Sequence, residues 1–342
     1  MSLMKLGRIT ALALCGALLL TGSAFAQKAK LGHAMPTEHP QSQTMDKFAE
    51  LAKKYTDGRV DIQVFPGGTL GGDDKMMQAI QAGTLEVYYG AVQPISGRVK
   101  EYQIFDFPFM FNNMKEVDYI FYGPVGEKLN AMMKPLNMIA IGWGEAGFRH
   151  LSNSRREIKT AEDLAGLKVR VMQNTVALET WKAMGANAVP MSFAEVFTAL
   201  ETRALDGQEN PLIHMYANKM YEVQKYITLT GHVYTPCVLA ISAKYWDKLN
   251  EEDQQALRKA AAEAFKFHRK IMTEADADVI AKLRGHGTSV EPLPPAELEK
   301  IREKVRPVVE KFTPMVGESF VKEFYAEIEK ARNGDSRPGA DE

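Results

Sequence analysis

The chain has 342 residues and a formal net charge of −1, from 42 Lys and Arg against 43 Asp and Glu. A balance so near zero argues against nucleic acid and anionic membranes as partners, since both favour a basic face. The length is enough for two domains sharing a core. The first 26 residues read as an export signal. Lys5 and Arg8 form a positive n-region, ITALALCGALLL is a short apolar run, and SAFA ends in the small-x-small pattern of a cleavage site after Ala26. The apolar run is too short to span a bilayer. Cys15 raises a lipoprotein alternative, but Leu14 before it is not small and AFA lies downstream. Cleavage removes Lys5 and Arg8 and no acidic residue, which takes the net charge from −1 to −3. Only Cys237 remains, so no intrachain disulfide can form and the exported fold must rely on core packing.

After the signal, AKLGHAM reads as a short strand and PTEHPQ as a loop. SQTMDKFAELAKKYTDG gathers Met45, Phe48, Ala49, Leu51 and Ala52 on one helical face. RVDIQVF alternates as a strand, PGGTLGG is a turn, DDKMMQAIQAG is a helix stopped by Gly83, and TLEVYYGAV is the next strand. This β-α-β-α-β order predicts a parallel sheet with helices on its faces. The second part repeats the style. NMIAIGWGE is a strand, and TAEDLAG opens a helix with Thr160 and Asp163 in a capping-box pattern. LKVRVM is a strand, NTVALETWKAMG a helix, ANAVPM a strand and SFAEVFTALETRA a helix capped by Ser192. DGQENP, residues 206–211, then reads either as a polar turn or, since a turn does not need four hydrogen-bonding side chains, as a binding edge, and VYTPCVLAIS reads as a returning strand. A helix of about thirty residues follows from about 250 to 284, some 45 Å long, and a rod of that length serves to cross two domains. The last residues, NGDSRPGADE, read as a disordered tail.

There is no Walker loop, HExxH, GxSxG or CxxC. GGTLGG lacks the Lys-Ser/Thr of a phosphate loop and reads as a turn. Arg170 alternates with Lys168 on one face of its strand, and because helices usually cover both faces of such a sheet it points to a strand end or cleft. An arginine there holds a carboxylate through two parallel hydrogen bonds. The alternative is a solvent-facing edge strand. Arg149, His33, His39 and Tyr89 also fall near predicted strand ends, where ligands of open α/β sheets gather. Alone, Arg149 reads as an ordinary loop arginine. His214 and His268 read as structural or exposed. Glu145, Glu209 and His232 could form an acid/base set, but no spacing ties them together and no catalytic group is assigned. No metal site is expected.

GFRHLSNSRREIKTAEDLAGLKVRVMQN, followed by WKAMGANAVPMSFAEVFTALETRALDGQENP, resembles the solute-binding proteins of tripartite ATP-independent periplasmic (TRAP) transporters, of the C4-dicarboxylate-binding type. FPGGTLGGDD, QAGTLE and FDFPFMF match in order, so the resemblance covers nearly the whole mature chain. It implies a bilobed α/β periplasmic-binding-protein fold (type II), with a hinge and a long domain-spanning helix. The expected first lobe takes residues 27–148 and 235–275, the second 149–234 and 276–330, with a tail over 331–342. The resemblance also implies a periplasmic receptor that hands a small organic acid to TRAP permease subunits; no cofactor is expected, and a monomer is the default, since no segment demands a partner. The acid is a sugar acid such as a uronate or aldonate, or a dicarboxylate. Arg170 matches the arginine that binds the ligand carboxylate, Asn210 and Arg149 further contacts, and Phe193 the aromatic beside the ligand. Gln173 and Asn174 are expected to face the cleft, Glu209 and His232 to shape a polar network around it, and DGQENP to be a binding edge joined to a hinge strand. On the other lobe Tyr89, Asp73, His33 and His39 are the candidates. Gly90 and Ala91 stand where some sialic-acid binders carry an acidic residue, which argues against that ligand. The alternatives are the binding protein of an ABC importer or a sensor, and an exported enzyme acting on sugar acids.

Overall fold

The structure, a computed structural model, describes residues 26–337. Residues 1–25 of the expected export segment, which runs to Ala26, and the last five residues of the chain lie outside the described residues. In chain order, the first half comprises β1 (Gln27–Gly32), α1 (Pro40–Tyr55), β2 (Val60–Phe65), α2 (Asp73–Ala82), β3 (Val87–Ala91), α3 (Met114–Phe121) and α4 (Pro124–Met133). The long β4 (Met138–Asn153) then leaves for the second half. There β5 (Lys168–Val171), α5 (Thr175–Ala183), β6 (Asn187–Pro190), α6 (Phe193–Glu201), β7 (Gly207–Asn210) and α7 (Leu212–Ala217) follow. β8 (Tyr226–Ser242) returns to the first half through α8 (Ala243–Trp246). Finally come α9 (Glu251–Gly285), β9 (Ser289–Pro292), α10 (Pro295–Val316) and α11 (Glu318–Arg332).

The strands form one sheet in the order β2-β1-β3-β8-β4-β7-β5-β6, with β9 beside β8. β1 pairs parallel to β2 and β3, and β5 parallel to β6 and β7, so each half has its own parallel set. The antiparallel β4 and β8 run through both halves and join them. Their register shifts at three places, and Gly147 and Gly231 have φ of +113° and +54°, values that only glycine adopts freely. The strands therefore bend where they pass from one lobe to the other.

Four apolar clusters cover the sheet. Two flank the first half and two the second. α9 is the expected rod: Leu257, Ala260, Ala261 and Ala264 pack with Phe48 and Leu51 of α1, while Met272, Val279 and Leu283 pack with Ile227 and Val290 of the other lobe. At 35 residues it is about 52 Å long. Thr160 and Asp163 form the expected capping box, although the segment makes only a short 3-10 turn, Ala161–Leu164.

Three expectations differ from the structure. DGQENP is the strand that the resemblance implies and not the turn that its composition alone suggests: Gly207–Asn210 is a fully buried strand between β4 and β5. Its polar residues are paired with one another and with neighbouring strands, so it does not need apolar alternation. The division that gave 276–330 to the second lobe also differs. α10 buries Ile301 and Val305 with the second lobe but Val308 and Phe312 with the first, and Phe324 of α11 packs on Phe105 at 5.9 Å. The tail starts later than 331, because Arg332 still lies in α11 and pairs with the buried Glu116 at 3.2 Å. Among the described residues no helix is long and apolar enough to cross a membrane.

Candidate ligand-binding cleft

The carboxyl ends of β1, β3 and β5 meet the bend of β4 and β8 at a cleft of about 750 Å³, open mouth included. Its first-lobe wall carries Gln41, Asp73, Asp74, Tyr89 and Gln93, and its second-lobe wall Arg170, Gln173, Phe193 and Asn210. Arg149, Thr235 and Cys237 lie along the crossing strands between them.

Arg170 sits on β5 between β6 and β7 and is 3% exposed. Its Nε donates to the Met191 carbonyl at 2.9 Å, which aims the guanidinium past Phe193, whose ring centre lies 5.9 Å away. It makes no ion pair among the described residues. Burial lowers its pKa to about 10, with Glu209 pulling the other way. Arg149, on β4, is 2% exposed and has the opposite surroundings. Its Nε and Nη2 donate to Glu209 Oε2 and Oε1 at 2.5 and 2.8 Å, Nη1 to Thr235 Oγ1 at 3.2 Å, and Nη2 to Asn210 Oδ1 at 3.0 Å. Burial pushes the Glu209 carboxyl up, but Arg149 and then His232 outweigh it and hold it at about 2. Arg149 is thus neutralised by the protein and fixes Asn210, whose Nδ2 also donates to Gln208 Oε1. Asp73 accepts from the Tyr88 hydroxyl at 3.0 Å, and burial raises its pKa to about 6. A Cβ at Gly90 would lie 2.3 Å from that hydroxyl and 2.7 Å from the Asp73 carboxylate. An acidic side chain has no room at residue 90, and Asp73 brings a carboxylate to that place.

Of the expected residues, the cleft brings together Arg149, Arg170, Asn210, Phe193, Gln173, Tyr89 and Asp73. The others lie elsewhere. Asn174 caps α5, its Oδ1 accepting from Ala177 N at 2.7 Å. Glu209 and His232 face a small pocket behind Arg149 with Asp106, Thr180 and Trp181. His33 is buried with neither ring nitrogen hydrogen-bonded. His39 caps α1 through Nδ1, which accepts from Gln41 N at 3.0 Å, so its Nε2 carries the proton and donates to His214 Nδ1 at 3.2 Å. The pattern missed Gln41, Asp74, Gln93, Ser192, His214, Thr235 and Cys237 on the cleft. The position of Gln93 just after β3 was the available signal. His214, expected to be structural or exposed, is buried and borders the cleft. No group of three His, Cys, Asp or Glu among the described residues is arranged to hold a metal.

Residues 31–314 match the family described as bacterial extracellular solute-binding protein, family 7 (DctP). A solute-binding protein of Verminephrobacter eiseniae is 40% identical over 250 residues, 73% of this chain and 75% of that one. The 2,3-diketo-L-gulonate-binding periplasmic protein YiaO of Escherichia coli is 34% identical over 289 residues, 84% of this chain and 88% of that one. Among solved structures, the sugar acid binding protein DctPAm of Advenella mimigardefordensis, in complex with galactonate, superposes with a TM-score of 0.88 at 38% identity, covering 90% of this chain and 99% of that one. The chain belongs to the DctP family of TRAP solute-binding proteins.

Proposed function

We propose that this protein is exported, cleaved after Ala26, and works as a monomeric periplasmic receptor that closes on an organic acid and delivers it to a TRAP permease. The acid is a sugar acid or a dicarboxylate, with one carboxylate on Arg170. Arg170 carries this reading: a cation 3% exposed, hydrogen-bonded to one carbonyl and without an ion pair among the described residues, at the wall of the cleft. Burying a charge without a partner is costly, and an anionic ligand supplies the missing partner through a two-pronged contact. Arg149, already held by Glu209, orients Asn210 instead of taking the anion itself. Binding fits the cleft better than turnover. Its one thiol, Cys237, is pushed up by burial and accepts from Gln41 Nε2 at 3.4 Å, far from the state of a reactive thiolate.

A thermal-shift screen against organic acids, followed by calorimetric titration, tests the proposal. A true ligand at a hundred times its Kd raises stability by about 2.7 kcal/mol. Arg170→Ala should weaken binding more than tenfold, since a charge-assisted pair contributes about 1.5–3 kcal/mol. Unchanged affinity in that variant would remove Arg170 from the role and the proposal with it.

A further inference from the structure

The two walls of the cleft have opposite hydrogen-bonding character. We infer that the first-lobe wall, made of Asp73, Asp74 and Gln93, selects a polyhydroxylated monocarboxylate and rejects a second carboxylate. The inference rests on Arg170 as the anchor of the first carboxylate.

Gln93 is 6% exposed and borders the cleft. Its Nε2 donates to Asp106 Oδ1 at 3.3 Å, and its Oε1 is buried with no hydrogen-bond partner among the described residues. At pH 8, above the value of about 7 to which burial raises it, Asp106 is ionised and can only accept, so it fixes which end of the amide faces it. The carbonyl is left without a partner in the protein, and a carbonyl recognises a donor. Gln41 repeats the arrangement. Its Nε2 donates to the Glu145 carbonyl at 2.8 Å and to Cys237 Sγ at 3.4 Å, so its carbonyl also remains. Asp73 uses Oδ1 for Tyr88, and Asp74 has no protein hydrogen bond or ion pair among the described residues.

Acidic residues in the first turn of a helix favour the helix dipole, which accounts for two carboxylates opening α2. It does not account for a buried, partnerless glutamine carbonyl on the same wall. Asp73 and Asp74 both feel the charge of Arg170, yet neither comes within ion-pair distance of it. The ligand fills the interval between cation and carboxylates. A hydroxyl there donates to Asp73, Asp74 or Gln93. A second carboxylate donates nothing and places a like charge beside two others, which costs affinity and supplies specificity by rejection.

The test compares acids of equal chain length, titrated calorimetrically into the mature protein at about pH 8, where the carboxylates are ionised. The panel pairs aldonates and uronates (galactonate, gluconate, galacturonate, glucuronate) with their aldarates (galactarate, glucarate), and adds adipate and hexanoate. The tightest monocarboxylate should bind at least tenfold more strongly than its aldarate, and at least a hundredfold more strongly than adipate or hexanoate. Asp73→Asn with Asp74→Asn should narrow the monocarboxylate-to-aldarate ratio at least fivefold. Asp74→Asn alone, which breaks no protein hydrogen bond, should narrow it in the same direction. Gln93→Met should weaken the hydroxylated acid at least fivefold and leave hexanoate unchanged. An aldarate or adipate that matches the monocarboxylate, or a ratio unchanged in folded variants, overturns the selection. The receptor reading survives that result if Arg170→Ala still abolishes binding. If folded protein binds no acid of the panel, both readings fall.

Discussion

Arg149 and Arg170 are equally buried cations with different partners, and that difference separates structure from binding. Glu209 gives Arg149 a bidentate contact, so its charge is settled before any ligand arrives. Arg170 has one carbonyl. From the residues alone Arg149 read as a loop arginine, and only the family resemblance made both anion contacts, because neither reading could see which arginine had a carboxylate behind it. The histidines carry a pH consequence. Burial lowers His150, His214 and His268 to about 3 and His33 to about 4. His214 accepts from His39 on Nδ1 and cannot take a proton there without losing that bond. Below pH 6.5 the unfolded chain binds protons that the native state refuses, so stability falls as pH drops from 6.5 toward about 3. Each such histidine contributes about 1.4 kcal/mol per pH unit in that window. Asp106 and Glu145, raised by burial to about 7, act oppositely and lose stability as pH rises from about 4 to 7. The wild-type profile is therefore a difference of the two groups, and a variant isolates one of them. His214→Gln should flatten the fall in melting temperature between pH 6.5 and 4 relative to wild type. Parallel profiles would show that His214 takes up protons in the folded protein as freely as in the unfolded chain.

At the scale of elements, β4, β8 and α9 hold the lobes together. The ring of Phe265 on α9 lies over two glycines of β4: a Cβ at Gly142 would come within 2.3 Å of it, and one at Gly144 within 2.7 Å. Strand and helix approach this closely only because both positions lack a side chain. Gly142→Ala should force the ring off the strand and destabilise the protein by about 1–3 kcal/mol, the usual cost of overpacking. Urea unfolding measures it, and an unchanged midpoint would mean that α9 shifts without cost. The glycines of GWG were visible in the sequence, but the helix that covers them was not. Elements with a clear period were legible: α9 is marked by apolar residues three and four apart, β2 by alternation, α2 by its closing Gly83. β7 was legible only through the resemblance, because every residue of Gly207–Asn210 is polar or glycine, yet all four are buried. Gln208 donates to Ser152 Oγ at 2.7 Å, Ser152 to Gln224 Oε1 at 3.0 Å, and Glu209 holds Arg149. Such a strand is stabilised by partners that local sequence does not reveal. The same holds for α11, whose apolar face says that it packs but not on which lobe.

At the scale of the whole molecule, periodicity indicated two α/β halves and a rod between them, whereas the cleft and its closure followed from the family resemblance. The structure adds how near the lobes come. Phe109 N of the first lobe donates to the His232 carbonyl of the second at 2.7 Å, beneath the cleft. At its lip, a Cβ on Gly72 would lie 3.0 Å from Ser192 Oγ, so the loop before α2 and the start of α6 nearly touch. Gly72 has φ of −71°, a conformation open to any residue, so a side chain there meets no backbone strain. It meets only the opposite lobe. Gly72→Phe should therefore act as a wedge that penalises the closed arrangement and spares the open one. A ligand that binds through closure must work against the wedge, and the apparent affinity falls by the factor that closure loses. The expected result is at least a tenfold weaker Kd for an acid that binds the wild type, with the melting temperature of the free protein unchanged. Small-angle scattering should show wild type contracting when that acid is added and the variant contracting less. Full affinity in Gly72→Phe, with equal contraction, would mean that the lips do not need to meet for the cleft to hold its ligand.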